Sequence, residues 1–116
     1  MPRTRPAYRW FTGLLIVGLL SIPLVACAGP AWESHPDVQQ ARIACAGLRR
    51  AEHLDCIEEQ AVASLNPAVC HLVAAGLDTL CLRAVYEAAG DAAICEQIYL
   101  PEVKEACQAW FDANRP

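Results

Sequence analysis

Residues 66–90 read NPAVCHLVAAGLDTLCLRAVYEAAG, and their pattern predicts a helical hairpin. Asn66-Pro67 has the form of a helix N-cap followed by proline at the first helical position. Gly76 predicts a turn near the middle of the stretch. After the turn, four residues follow the i, i+3, i+4, i+7 spacing of one buried helical face: Cys81, Ala84, Val85 and Ala88. We therefore predict a short helix, a turn and a longer helix that begins just before Cys81.

The cysteine spacing of this stretch continues on both sides of it. Successive gaps of 11, 14, 11, 14 and 12 residues separate Cys45, Cys56, Cys70, Cys81, Cys95 and Cys107. A spacing that recurs every 25 residues is typical of a duplicated supersecondary unit. We therefore divide this part of the chain into three units, residues 41–65, 66–90 and 91–116.

The units also agree at positions other than the cysteines. The residue before the first cysteine is Ala44, Val69 or Ile94, and the third residue after it is Leu48, Val73 or Ile98. The sixth residue after it, where we expect the turn, is Ala51, Gly76 or Pro101. Asp91 opens the third unit as an acidic N-cap. No sustained period-two alternation indicates a strand, so the predicted fold class is all-α.

The first unit has a candidate helix start before residue 41. Ser34-His35-Pro36-Asp37 has the form of a capping box. We expect it to begin a helix that runs through Val38 and Ile43 to Cys45.

Hairpin geometry narrows the possible cysteine pairs. Cys70 lies six residues before Gly76 and Cys81 five after it, so the two face each other across the turn. A link from Cys81 to Cys95 would displace one cysteine by about 6 Å along the helix, which is too far for a disulfide. We predict the pairs Cys45–Cys56, Cys70–Cys81 and Cys95–Cys107, and hence three repeated helical hairpins of about 25 residues, each linked by one disulfide.

The first residues have the layout of an export signal. Three arginines, Arg3, Arg5 and Arg9, precede a mainly apolar run from Phe11 to Ala26. The alternative is a membrane-spanning helix, which needs about 20 predominantly apolar residues. This run is shorter and contains Pro23 near its end. We therefore interpret residues 1–26 as a signal peptide.

The end of the apolar run, Leu24-Val25-Ala26-Cys27, resembles the lipobox of bacterial lipoproteins. The resemblance covers only the leader. It implies that residues 1–26 are cleaved, that the thiol of Cys27 receives a diacylglycerol group, and that the new amino terminus is acylated, for example with palmitate. Two or three acyl chains hold a protein on a bilayer, whereas one does not. Ala28, where an inner-membrane retention signal has Asp, implies sorting to the outer membrane and exposure to the periplasm.

The predicted lipid site also fixes the organisation of the mature chain. With Cys27 assigned to lipid, an even set of six cysteines remains, which can pair completely. Residues 28–36, AGPAWESHP, contain two prolines and a glycine, so residues 27–36 are expected to be the lipidated cysteine and a tether. Residues 37–116 are then the helical repeat domain.

Composition excludes several classes of function. The 116 residues carry a net charge of −4, and without residues 1–26 six basic residues remain against 13 acidic ones, a net charge of −7. Such a chain has no basic stripe for a phosphate backbone, so we expect no nucleic acid partner. Seven cysteines in so short a chain indicate an oxidising compartment.

We find no pattern of a cofactor or catalytic site. The cysteines form no Cys-x-x-Cys pair, no His-x₃₋₅-His is present, and no Gly-x-Ser-x-Gly or phosphate-binding loop occurs, so we predict no metal, no cofactor and no enzyme. The densest polar cluster is His53 with Asp55, Glu58 and Glu59. Such a cluster could bind a cation, but it is more often the solvated face of a helix.

The large aromatic residues of the mature chain are concentrated near its end. They are Trp32, Tyr99, Trp110 and Phe111. The last repeat of an array must cover an apolar face that has no neighbour, so we favour a capping role for this group. The alternative is a partner contact through Trp110 and Phe111, because exposed aromatic residues often anchor interfaces.

The sequence therefore predicts a lipid-anchored envelope protein that acts by protein–protein contact. Its partners would be the membrane, through the lipid on Cys27, and another envelope protein. A neutralising role, as in immunity or exclusion lipoproteins, is an alternative within the same class. A carrier of metal or of a small ligand through His53 and its neighbouring acids is a further hypothesis.

Overall fold

The computed structural model describes residues 29–116, so the predicted signal peptide and Cys27 lie outside the described residues. The described chain is all-helical and contains no strand. Its four α-helices are α1 (Pro36–Ala44), α2 (Arg50–Ser64), α3 (Asp78–Ala89) and α4 (Pro101–Ala113). Three short 3₁₀ helices are η1 (Ala31–Ser34), η2 (Pro67–Leu72) and η3 (Ala92–Gln97).

The three predicted hairpins and their disulfides are confirmed. The pairs α1–α2, η2–α3 and η3–α4 are linked by Cys45–Cys56, Cys70–Cys81 and Cys95–Cys107, with Cα–Cα distances of 5.8, 5.6 and 5.6 Å. Each bridge therefore joins a short helix, or its C-cap, to the long helix that follows.

The first helices of the second and third hairpins, η2 and η3, are 3₁₀ helices of six residues. Asn66 and Asp91 are their N-caps, as predicted, and each side chain accepts a hydrogen bond from the backbone N–H two residues later, at 3.0 and 2.9 Å. Both helices end where the next residue, Val73 or Ile98, adopts an extended backbone. Six residues is long for a 3₁₀ helix, because its hydrogen-bond geometry is poorer than that of an α-helix.

The first unit departs from the other two. Its short helix α1 is an α-helix of nine residues, and the turn after it contains Gly47 at φ 82°. The prediction of a turn near Ala51 is therefore wrong, because Ala51 lies in the first turn of α2. Ala44 and Leu48 are exposed, whereas their counterparts in the other units are buried: Val69, Val73, Ile94 and Ile98.

Helix starts differ from the prediction in three other places. The N-cap of α1 is His35 rather than Ser34, and its Nδ1 accepts a hydrogen bond from the backbone N–H of Asp37 at 3.1 Å. Pro101 begins α4 instead of ending a helix, since proline suits the first helical position. In α2 and α4 the helix begins six residues before the second cysteine, so only α3 begins just before it, as predicted.

Equivalent residues close the first two units. Leu65 ends α2 with φ 48°, and Gly90, 25 residues later, ends α3 with φ 69°. A left-handed residue after the last helical turn is a common C-cap that stops the helix. At Leu65 a branched side chain occupies a conformation that glycine adopts more easily.

The core lies along one face of α3. Cys81 and Val85 are buried as predicted, but Ala88 is exposed and Ala84 half-buried. Leu82 and Tyr86 complete the buried face, so it is rotated by about one residue from the prediction. Elements on all sides contribute further buried residues: Val38, Ala41, Ile57, Ala61, Val69, Ile94, Ile98 and Val103.

The helical unit begins at Ala31, within the segment that we expected to be a tether. Trp32 packs against the core. The side chain of Gln39 in α1 donates a hydrogen bond to the backbone carbonyl of Glu33 at 2.5 Å. These contacts attach η1 to the rest of the unit.

We expect the bridges to differ in what their removal costs. Each loop has a sequence separation of 11 or 12 residues, so each bridge contributes about 3 kcal/mol on the chain-entropy model. Cys70 and Cys81 are both fully buried, whereas Cys56 is half-buried. Replacing Cys70 and Cys81 together by alanine should therefore cost more than the same change at Cys45 and Cys56, because it also leaves a cavity.

Urea unfolding of the two double variants measures this difference. Equal losses of unfolding free energy would contradict the added contribution of core packing at Cys70–Cys81.

Candidate functional site

Three aromatic rings that are far apart in the sequence form a stack. The imidazole of His71 lies between the indole of Trp32, at a centroid distance of 4.3 Å, and the phenol of Tyr99, at 3.7 Å. The interplanar angles of 12° and 15° show that the rings are nearly parallel. Because Trp32 belongs to η1, His71 to η2 and Tyr99 follows η3, the stack joins three separate segments of the unit.

Asp78, the first residue of α3, is bound to one end of this stack. The hydroxyl of Tyr99 donates a hydrogen bond to Asp78 Oδ2 at 3.1 Å. Burial of the phenol, the hydrogen bond and the charge of Asp78 raise the pKa of Tyr99. Burial lowers the pKa of His71 from its ordinary 6.5, and the charge of Asp78 opposes this shift.

The stack is a structural contact in the described chain. Both faces of the His71 ring are covered, and its pKa shift follows from that burial rather than from an acid–base partner. Trp32 and Tyr99 were identified from the sequence as large aromatic residues, but His71 was not identified as a contact residue. No local pattern connects residues 32, 71 and 99.

A second polar contact joins the starts of α1 and η2. The amide Nδ2 of Asn66 donates a hydrogen bond to Asp37 Oδ2 at 3.0 Å and lies 3.2 Å from His35 Nδ1. The N-cap residue of η2 therefore also binds the first turn of the first unit. The cluster is at least partly solvent-accessible, so we assign it a positioning role.

Trp110 and Phe111 lie near the C-terminal end of α4 and are both half-buried. The ring of Trp110 packs at 5.9 Å from that of Tyr86 and meets Phe111 edge-on at 4.9 Å. Beside them is a hollow of about 290 Å³, whose lining includes Gly90, Ala92 and Arg115. Packing on a buried tyrosine is what a terminal cap requires, and partner contact through these two residues stays a prediction.

The acidic cluster around His53 is spread along α2. Asp55 and Glu59 are exposed, and His53 and Glu58 are half-buried. Within residues 29–116, no three His, Cys, Asp or Glu side chains are grouped so that they could share a metal ion. His53 instead lies on the wall of an apolar groove.

This groove, which we call the α2 groove, lies between the first turns of α2 and the turn that joins η2 to α3. It has a volume of about 380 Å³ and a mostly apolar surface. Its lining consists of Arg50, Ala51, His53, Leu54, Val73, Ala74 and Leu77. In size it falls within the range of ligand-binding clefts, roughly 300–1,000 Å³.

Three exposed leucines lie in the lining of the α2 groove or close to its lining residues in the sequence. Leu77, in its lining, is 43% exposed, Leu80 in the first turn of α3 is 55% exposed, and Leu48 just before α2 is 38% exposed. No sequence pattern identified Leu54, Leu77 or Leu80 as candidate binding residues. Leu48 was aligned with buried residues of the other units, but it lies in the turn between α1 and α2 and is exposed.

Each wall of the α2 groove is linked by a disulfide close to it. Cys45–Cys56 joins the end of α1 to α2, and Cys70–Cys81 joins η2 to α3 across the turn that contains Val73 and Leu77. Both bridges restrict movement of the backbone beside the groove. The backbone on both sides of the groove is therefore constrained by a disulfide.

Comparison with protein-family models, with curated proteins and with solved structures found no significant match. None of the helices in the described range combines the length and the apolar character needed to cross a bilayer.

We expect the stability of the stack to depend on pH. The unfolded chain binds a proton at His71 near the ordinary pKa of 6.5, whereas the folded chain binds it at a lower pH. The free energy of unfolding should therefore fall as the pH drops through about 6.5, and this fall should stop below the folded pKa of His71. His71→Phe keeps an aromatic ring between Trp32 and Tyr99 but removes the titration.

Urea unfolding at about pH 7.5 and about pH 5.5, between which an ordinary histidine titrates, measures this effect in both chains. The loss on acidification should be smaller in His71→Phe. An equal loss in the two proteins would show that His71 does not contribute.

Proposed function

We propose that this protein is a lipid-anchored module for protein–protein contact in a bacterial envelope, held in the outer membrane and facing the periplasm. We further propose that its partner binds in the α2 groove. The groove is the single observation that supports a binding function most strongly. The lipobox-like leader supports the anchor.

The α2 groove has the properties of an interaction site. Exposed apolar patches bordered by polar residues mark interfaces in small soluble domains. Here Leu54, Val73 and Leu77 provide the apolar surface, and Arg50 and His53 lie beside them. Binding to a surface that is already shaped avoids the entropic cost of ordering it, and two disulfides supply that rigidity.

The C-terminal end of α4 is a weaker candidate for the binding site. Trp110 and Phe111 are half-buried and pack on each other and on Tyr86, so much of their surface is already used within the fold. Leu77 in the lining of the α2 groove, by contrast, is 43% exposed. We therefore place the partner at the groove and assign Trp110 and Phe111 to capping.

The anchor would keep the groove close to the membrane. Four residues lead from Cys27 to Ala31, where the helical unit begins. An extended chain of this length spans at most about 14 Å. A partner of this module is thus expected to be a membrane protein or another protein of the membrane surface.

Lipidation is tested by Cys27→Ser, because serine lacks the thiol that receives the lipid. Intact mass measurement of the membrane fraction should show acyl mass on the wild-type chain and cleavage before Cys27. The variant should lack that mass. An unmodified, soluble wild-type chain would contradict the anchor.

Partner contact is tested by a photo-crosslinking amino acid at position 77 of the full chain, in the producing cell. We expect ultraviolet light to give discrete cross-linked products, because Leu77 lies in the groove. The matched control is the same probe at position 105, since Glu105 is exposed on α4.

A third probe at position 110 distinguishes the groove from the aromatic end of the array. Cross-links at position 110 and not at 77 would move the contact to Trp110 and Phe111. Cross-links at neither position would contradict the binding function.

A further inference from the structure

We propose that the α2 groove receives an acidic, extended segment of a partner protein, whose apolar side chain enters the groove while its carboxylates pair with Arg42, Arg49 and Arg50. This inference rests on the proposed function and adds the chemistry of the partner.

The basic residues of the described chain fall into two groups. Three form ion pairs with neighbouring acids: Arg83 with Glu87 at 2.8 Å, Lys104 with Glu96 at 3.3 Å, and Arg115 with Asp112 at 3.0 Å. The other three, Arg42, Arg49 and Arg50, form no ion pair with any residue of the described range. The three basic residues without an ion pair in the described range therefore lie at one place in the chain.

That place is the connection between α1 and α2. Arg42 lies in the last turn of α1, Arg49 is the N-cap of α2, and Arg50 is its first residue and lines the groove. Two exposed apolar residues lie among them, Ile43 at 73% and Leu48 at 38% exposure. The surface is both basic and apolar, in a unit whose other surfaces are mainly acidic.

A ligand that matches this surface must carry both kinds of group. Arginine binds carboxylates through two parallel hydrogen bonds, which gives specificity as well as attraction. The groove of about 380 Å³ has room for a large apolar side chain. Acidic residues on either side of that side chain would complement the arginines and would repel the remaining, acidic surfaces.

The backbone of Arg50 gives a second, independent reason to assign it a role. Its φ of 53° is in the left-handed region, which a side chain other than glycine adopts only at an energetic cost. Strained residues of this kind are concentrated at functional sites. Leu65, at φ 48°, has the same strain at the opposite end of α2, so it provides a matched comparison.

The position of the arginines favours a protein segment over an anionic bilayer. The helical unit begins at Ala31, next to the N-terminal end of α1, whereas the arginines lie at and beyond its C-terminal end. The nine residues of α1 separate these ends by about 13 Å. The arginines therefore lie at the end of α1 opposite the chain entry, and the apolar groove beside Arg50 suits an inserted side chain, which a protein segment presents.

The test uses the full chain in a nonionic detergent and two fluorescent peptide pools. Each peptide has a central Leu, Phe or Trp, flanked by Asp and Glu in one pool and by Lys in the other. We expect fluorescence anisotropy to show binding of the acidic pool only, with affinity that falls as salt is added, because exposed ion pairs are screened.

Charge reversal tests the arginines against a control of equal net charge. Arg50→Glu should weaken binding of the acidic pool about tenfold or more, as for a charge pair at an interface. Arg115→Glu makes the same change in net charge far from the groove and should leave binding nearly unchanged. Equal losses in both variants would mean general attraction and would overturn the inference.

Relief of backbone strain provides a readout that folding defects cannot imitate. Arg50→Gly and Leu65→Gly each place glycine at a positive φ, so both should keep or raise the midpoint of thermal unfolding. Only Arg50→Gly should lose binding of the acidic pool. Retained binding in Arg50→Gly would show that the side chain of Arg50 does not contribute to binding and would overturn its assigned role.

Three further outcomes separate this inference from the alternatives. Flotation with vesicles that contain phosphatidylglycerol, if it depends on Arg50 while the acidic pool does not bind, would assign the arginines to the bilayer and overturn the inference. Cross-links at position 77 that persist in Arg50→Glu would leave the groove as the partner site and overturn only its acidic specificity. Absence of cross-links at both positions 77 and 110 in the wild type would contradict the proposed function itself.

Discussion

The disulfide between Cys70 and Cys81 is the contact on which most of this unit depends. Both cysteines are fully buried, and the bridge fixes the six-residue η2 to α3. Isolated helices of this length are not stable in water. With η2 fixed beside it, α3 packs against α2, η2, η3 and α4, so α3 contacts both neighbouring units. The unit from Ala31 to Pro116 is small and its core is correspondingly marginal, so a buried bridge adds substantially to its stability.

The cysteine period predicted the three units, and hairpin geometry then predicted all three pairs. The helical class followed from the spacing of apolar residues and the lack of strand alternation. The prediction of the pairs succeeded because a hairpin closed by a bridge is a local object, with its partners 11 or 12 residues apart. The signals at Asn66 and Asp91 were also local and were read correctly. The position of the first turn was not, because the repeat alignment emphasised Ala51 and overlooked Gly47, whose positive φ makes the turn.

Contacts between distant segments were not predictable from one sequence. His71 gave no signal that its ring would lie between Trp32 and Tyr99, and Leu65 gave none that it would adopt a left-handed conformation. The α2 groove depends on the same kind of information. Its lining comes from the first turns of α2 and from the turn between η2 and α3, which no local pattern brings together.

The two disulfides beside the α2 groove have a consequence for when the site exists. The backbone beside the groove is constrained by disulfides, which persist only in a compartment that allows oxidation. On the proposed route of export, the reduced chain in the cytosol would lack these constraints and would present no preformed surface to acidic segments there. Recognition would then begin only after the disulfides had formed in the proposed envelope compartment.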